Sequence, residues 1–208
     1  MSKAGLILMG AGGHAHACID VIEQHGGYQI AGLVGLPEEL NIQHLGYRVI
    51  ATDSDLAELT KYKYALVTVG QIQSPTNRMR LYRRVTEFGF QLPIVIAPSA
   101  HVSRHATIGA GTIVMHGAII NAGAKVGENC IVNTRALIEH DVIVEDHCHI
   151  STGAIINGNS RIGTGSFIGS GSIVKEGIQL DNCCVVGMGL SVRQNHSDHT
   201  WIVTNDKS

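Results

Sequence analysis

From Ile96 onward an aliphatic side chain returns at every sixth residue without a break, through Val102, Ile108, Val114, Ile120, Val126, Val132, Ile138 and Val144, then Ile150, Ile156, Ile162, Ile168, Val174, Leu180, Val186 and Val192. A helix repeats near 3.6 residues and a half-buried strand near 2, so neither alone keeps phase with a period of six. A β-helix does. Each hexad supplies one short flat strand and one corner, and three hexads close a triangular coil. Residues separated by three hexads then stack, one coil above the next, about 4.8 Å apart. Burying each inward aliphatic contributes about 1.5–3 kcal/mol, but only once neighbouring coils are in place.

The four residues that follow each aliphatic fit the same geometry. The inward corner position carries small side chains such as Thr112, Ala118, Ala124, Cys130, Ala136, Cys148, Ala154, Ser160, Ser166 and Ser172, and glycine often follows the aliphatic, as at Gly109, Gly127, Gly163, Gly169 and Gly187. A chain that is 44% hydrophobic yet only 4% aromatic, with 25 glycines, has the material for such uniform layers. Cys130, Cys148 and Cys184 fall on the small inward positions. With Cys18 and Cys183 they make an odd set without CxxC spacing, which argues for packing thiols rather than a disulfide framework.

Residues 1–92 follow a different grammar, and the sequence divides into a Rossmann-like α/β domain over 1–92 and a β-helix over 93–208. The apolar run Leu6-Ile7-Leu8-Met9 ends in Gly10-Ala11-Gly12-Gly13; Ala17, Cys18, Val21 and Ile22 then recur at helical spacing until Gly26-Gly27 stops the helix. Strands are expected at Gln29–Val34, Tyr47–Ala51 and Ala65–Val69. Helices are expected near Asp53–Thr60, capped by Asp53, and from Pro75 to Phe88. The alternation gives a small, mostly parallel sheet with helices on its faces.

The charge pattern excludes several classes. A net charge of -2 without a basic run gives no electrostatic grip on nucleic acid. No apolar run reaches the 18–20 or so residues of a membrane span. The opening Met1-Ser2-Lys3-Ala4 leads directly into a strand, without the apolar stretch of a signal peptide, so a cytoplasmic protein is expected. Gly10-x-Gly12-x-x-Ala15 resembles a dinucleotide fingerprint. The second strand, however, ends in Val34-Gly35-Leu36, and Glu38-Glu39 come late for a ribose-binding acid. That disfavours NAD and counts against a nucleotide-linked ligand.

The chain resembles the NeuD-type sugar O-acyltransferases, hexapeptide-repeat enzymes of the left-handed β-helix class. The resemblance rests on Gly10-Ala11-Gly12-Gly13-His14-Ala15, on Asn133-Thr134-Arg135-Ala136-Leu137-Ile138-Glu139-His140-Asp141, and on Ile150-Ser151-Thr152-Gly153 with Asn157-Gly158. It implies an acetyl-CoA-dependent sugar acetyltransferase that works as a homotrimer, binds CoA between neighbouring helices and needs no metal. The second of those runs is closer to the sialic-acid branch, so O-acetylation of a sialic-acid-like sugar is the main expectation. The alternatives are N-acetylation of a UDP-type nucleotide-linked 4-amino sugar and a non-catalytic sugar- or nucleotide-binding scaffold.

Acyl transfer from a thioester needs a base, a donor for the developing oxyanion and a groove that aligns the reactants. His140 stands at an outward corner position and imidazole titrates near neutral pH, which makes it the candidate base. Asp141 or Glu139 is placed to orient it, and the resemblance favours Asp141. Gly158 lies one coil beyond His140 and offers a backbone N–H to the thioester oxygen, beside Asn157. His149 corresponds to a second histidine of the family, which the resemblance implies helps bind acetyl-CoA or substrate; the alternative is a plain surface histidine on the β-helix. Gly10, Gly12 and Gly13 would present N–H groups, and His14 an imidazole, to the acceptor sugar. His147-Cys148-His149 is not a metal motif, because Cys148 points inward while its neighbours point out. Relatives end in a Gly-x-Pro-Ala turn near CoA, whereas this chain reads Gly187-Met188-Gly189-Leu190 and continues to Trp201, a residue suited either to stacking on adenine or to packing on the last coil.

Overall fold

A computed structural model describes residues 3–206. Met1 and Ser2, used above to argue localisation, and Lys207 and Ser208 lie outside the described residues. In the α/β half, β1 (Ala4–Met9), β2 (Tyr28–Gly35), β3 (Gln43–His44), β4 (Tyr47–Thr52) and β5 (Tyr64–Val67) form a sheet in the order β3-β4-β2-β1-β5. All pairs are parallel except the β3–β4 hairpin at the edge. Helix α1 (Gly13–His25) starts directly from the glycine turn and ends at Gly26, whose left-handed conformation lets its N–H cap Ile22. Helix α2 (Thr76–Glu87) begins after Pro75.

One expected helix is absent. Residues around Asp53–Thr60 form only a 3-10 turn, Leu56–Leu59, and Asp55 rather than Asp53 anchors its start by accepting the Thr52 N–H at 2.8 Å. Residues 53–63 must cross from β4 past β2 and β1 to β5, and within them two buried leucines, Leu56 and Leu59, close that side of the core.

Beyond residue 92 the chain winds into a left-handed β-helix of two-residue strands. Three parallel sheets form its faces. The first includes Ile113–Val114, Ile131–Val132, His149–Ile150 and Phe167–Ile168. The second includes Ile119–Ile120, Leu137–Ile138 and Ile155–Ile156, and the third Lys125–Val126, Ile143–Val144 and Arg161–Ile162. Register follows the hexad: Ile120, Ile138, Ile156, Val174 and Val192 pair in one unbroken column, and all five are fully buried. The period is six because each corner spends one residue in the left-handed region. Along one edge those residues are Gly123, Asp141, Asn159 and Gly177. Asp and Asn tolerate that conformation better than most side chains.

The α/β half seats on the first face. Val95, Ile113 and Ile131 point outward from the β-helix and are buried among Leu6, Leu8, Ile19 and Ile22. A polar tie completes the junction. Arg78 on α2, 1% exposed, donates to the carbonyls of Val67 and Val69 and to both oxygens of Asn129 at a β-helix corner. Burial lowers its pKa to about 10. No helix among the described residues is long and apolar enough to cross a membrane.

Candidate active site

His140 stands at the corner between the second and third faces, on the edge that carries Asp141. Its Nδ1 lies 3.0 Å from Asp141 Oδ2. With the Nδ1 proton donated to that carboxylate, Nε2 keeps its lone pair and lies over Gly158. Both side chains are about two-thirds exposed, so the pair is an orienting contact rather than a stabilising one. Two glycines make the room for it. Gly123, one coil earlier, leaves the space that the Asp141 carboxylate fills. A Cβ on Gly158, one coil later, would stand 2.7 Å from Cε1 and Nε2 of the imidazole. Among the described residues the Gly158 N–H has no protein acceptor.

The remaining residues of this corner divide by role. Glu139 turns away from the imidazole ring; its Oε2 accepts from Asn121 Nδ2 at 3.0 Å and from the His140 N–H at 3.3 Å. Of the two acids flanking His140, Asp141 therefore orients the ring. Asn157 donates to the Val174 carbonyl at 2.8 Å and braces the next coil. Together Glu139, His140, Asn157 and Gly158, with Asn159 and Glu176, line an open depression.

His149 is not on the free surface expected for it. It points outward from the first face, but that face is covered, and the residue is 7% exposed. Its Nδ1–H donates to the Gln71 carbonyl at 2.6 Å, Asn133 Nδ2 donates to its Nε2 at 3.1 Å, and Phe167 packs edge-on against the ring. Burial pushes its pKa down to about 4, which fixes the neutral form. His14 lies in the same junction. Its ring lies 6.3 Å from that of His149, burial lowers its pKa to about 3, and its Nε2 is buried without a protein partner. It therefore faces the domain junction. Gln71, Arg78 and Asn129, which complete this junction, carry no motif that a single sequence reveals, and Asn133, though it opens the run quoted above, is not marked there for this contact.

The glycine turn opens on a second concavity. Met9 to Gly12, Val34 to Pro37, Glu39, Thr52 to Ser54, Asn77 and Arg80 line a cleft of about 340 Å³ at the carboxyl ends of β1 and β2. No side chain caps α1, and nothing lies within 4 Å of where a Cβ would be on Gly12 or Gly13. The helix N-terminus is thus bare toward the cleft, the geometry that receives an anion. Across the mouth, Arg80 is paired with Asp53 at 2.6 Å.

This cleft and the His140 depression share no residue. Among the described residues no three His, Cys, Asp or Glu side chains converge as metal ligands would.

Residues 5–85 match the family model described as the PglD N-terminal domain, and residues 160–194 match that described as a hexapeptide repeat of succinyl-transferase. Among curated proteins none matches the chain. Among solved structures, the acetyltransferase domain of PglB from Neisseria gonorrhoeae in complex with acetyl coenzyme A is 30% identical, with 96% of each chain covered and a TM-score of 0.87. A mutant of perosamine N-acetyltransferase from Caulobacter crescentus, in complex with CoA and GDP-perosamine, is 28% identical over 96% of this chain and 93% of that one, with a TM-score of 0.90. WeeI from Acinetobacter baumannii AYE shares the fold at 18% identity, with a TM-score of 0.83.

Proposed function

The chain belongs to the hexapeptide-repeat acyltransferases that carry a PglD N-terminal domain, and from that premise we propose that it is an acetyl-CoA-dependent N-acetyltransferase of a nucleotide-linked amino sugar. The observation that carries the reading is the likeness, over 96% of the chain, to an enzyme crystallised with CoA and GDP-perosamine. That likeness favours the amino-sugar alternative over O-acetylation of a sialic-acid-like sugar. The cleft above α1 agrees with it, since a bare helix N-terminus suits a diphosphate and a free sugar has no such group.

The chemistry assigned to His140 follows from its geometry. The sugar amine attacks the thioester carbonyl of acetyl-CoA. The Gly158 N–H donates to the oxygen that becomes negative, and His140 Nε2 takes the proton that nitrogen sheds. Asp141 holds the ring in the tautomer that accepts it and steadies the imidazolium. The carbon–sulfur bond then breaks, CoA leaves as its thiol with that proton, and the product is the acetamido sugar. No acyl-enzyme is needed: Cys18, Cys130, Cys148 and Cys184 are buried, and Cys183 does not line the His140 depression.

A single chain holds its cleft and its base apart, so the reading includes a homotrimer. The outer side of the second face, next to the His140 corner, carries an apolar stripe: Ile119 (39% exposed), Leu137, Ile155 and Ile173 (41% exposed). The outward positions of the third face read Thr107, Lys125, Ile143, Arg161 and Gln179, a far more polar set. Packing the stripe against a neighbouring copy removes it from water and brings His140 toward that copy's cleft. Light scattering should give three times the 22.2 kDa of the chain.

The deciding experiment offers acetyl-CoA with a UDP- or GDP-linked 4-amino sugar, and separately with free sialic acid, and follows release of the CoA thiol. Turnover with the nucleotide-linked amine is expected. Turnover with sialic acid alone would overturn the proposal in favour of O-acetylation, and a folded protein inert with both would point to a scaffold.

A further inference from the structure

Strand β2 ends in Gly35 without an acid, which from the sequence alone left the cleft with nothing to hold a ribose. The chain beyond it folds back. Pro37–Glu39 form a 3-10 turn in which the Glu39 N–H bonds the Leu36 carbonyl at 2.9 Å and Glu39 Oε2 accepts the Leu36 N–H at 2.7 Å. This reciprocal pair brings the Glu39 side chain back over the end of β2. A Cβ on Gly35 would stand 2.6 Å from Glu39 Oε2 and 3.4 Å from the Ala11 Cβ, so glycine at 35 is what leaves space for the carboxylate beside the glycine turn. Glu39 is half-buried and lines the cleft, and its Oε1 has no protein partner among the described residues.

We propose that Glu39 is the ribose-binding acid of this cleft, with Oε1 accepting the 2′-hydroxyl of the nucleoside diphosphate that carries the acceptor sugar. In dinucleotide-binding domains an acid at the end of the second strand does this work. Here a residue four positions later reaches the same place because the turn reverses the chain. The diphosphate lies at the α1 N-terminus, next to Gly12 and Gly13, and the ribose lies between it and Glu39. The carboxylate also repels a phosphate on the 2′ position, so the cleft takes an unmodified ribose.

The inference rests on the nucleotide-linked reading of the cleft, and one titration separates the two. UDP and GDP, with their 2′-deoxy counterparts, are titrated calorimetrically against the full chain and against Glu39→Gln and Glu39→Ala. A hydrogen bond to a charged acceptor predicts binding about 10- to 100-fold tighter for the ribonucleotide in the unmodified protein. Both variants should lose that preference while the KM for acetyl-CoA stays unchanged. Glu39→Gln retains an oxygen for the Leu36 N–H, so loss of discrimination there cannot be laid to an unfolded turn. Equal binding of ribo- and deoxyribonucleotides by the unmodified protein, or discrimination that survives both substitutions, overturns the role of Glu39 and leaves the nucleotide reading standing. Failure of every nucleotide to bind overturns the nucleotide reading and the role of Glu39 with it.

Discussion

His140 and His149 sit half a coil apart on the same β-helix, both projecting outward from it, yet the side chain of one is 65% exposed while the other residue is 7% exposed. The hexad gives each its height and direction. What separates them is what lies outside: open space beyond the corner at His140, and the α/β half over the face at His149. The first ring is open on its outer side. The second is held neutral between Gln71 and Asn133. A repeating scaffold thus sets where a side chain stands, and its covering sets what the side chain does.

The comparison fails first if the shared lattice fails. Ile156→Asp puts a carboxylate into a fully buried column between Ile138 and Val174. An unpaired buried charge costs several kcal/mol, enough to unfold the middle coils, so cooperative melting should disappear and both sites should be lost together. Retained melting and activity would show that the coils tolerate charge and that the stack does not fix either histidine. Next in size, His140→Ala should lower kcat about 10²–10⁴-fold with the fold intact, because a general base contributes on that scale. Unaltered kcat would remove the contrast by making the exposed ring as silent as the covered one.

The contrast was only half legible in the sequence. Residues such as Ile138 and Ile156 announce their place because each sees the same environment as its neighbours three hexads away, and His140 stands out as an interruption of that pattern. The positions of His149 and His14 depend on the junction, where partners come from Gln71, Arg78 and Asn129, residues remote in sequence and with no period to betray them. Glu39 was read as too late in the chain because strand-end logic counts residues along an extended path, and the 3-10 turn shortens that path. The Asp53–Thr60 helix was overdrawn for a related reason: acidic residues and leucines at helical spacing carry no information about how far the segment from β4 to β5 must reach, across the ends of β2 and β1.

The covered ring makes a prediction that the exposed one does not. His14 and His149 have folded-state pKa values of about 3 and about 4, below the 6.5 of an unperturbed imidazole. As pH falls below 6.5 the unfolded chain takes up protons that the folded chain refuses. Their contribution to stability is therefore complete above about pH 6.5 and declines as pH falls toward 4. By pH 5 the loss reaches about 2 kcal/mol for each histidine. Urea unfolding at pH 7 and pH 5 measures it, and His149→Gln should flatten the difference by about half. Equal stability at the two pH values would mean that the junction admits water and that the two rings differ less than their burial implies.

The smallest effect is the most discriminating, because it separates two kinds of glycine on the same helix. A Cβ on Gly163 would meet the backbone of the next coil, 2.5 Å from the Asp181 carbonyl carbon, so Gly163→Ala forces coils apart and should lower stability. The atoms nearest a Cβ on Gly158 all belong to the His140 ring, the far end of a side chain about two-thirds exposed and so able to swing aside. Gly158→Ala should therefore melt like the unmodified protein while the ring tips off its line to the acceptor. Loss of alignment without loss of the base predicts a fall in kcat of roughly tenfold, with the KM for the nucleotide-linked sugar unchanged, since the cleft shares no residue with the depression. A Gly158→Ala protein that loses stability but not turnover would reverse the assignment, making Gly158 a packing residue like Gly163 and moving the oxyanion donor elsewhere.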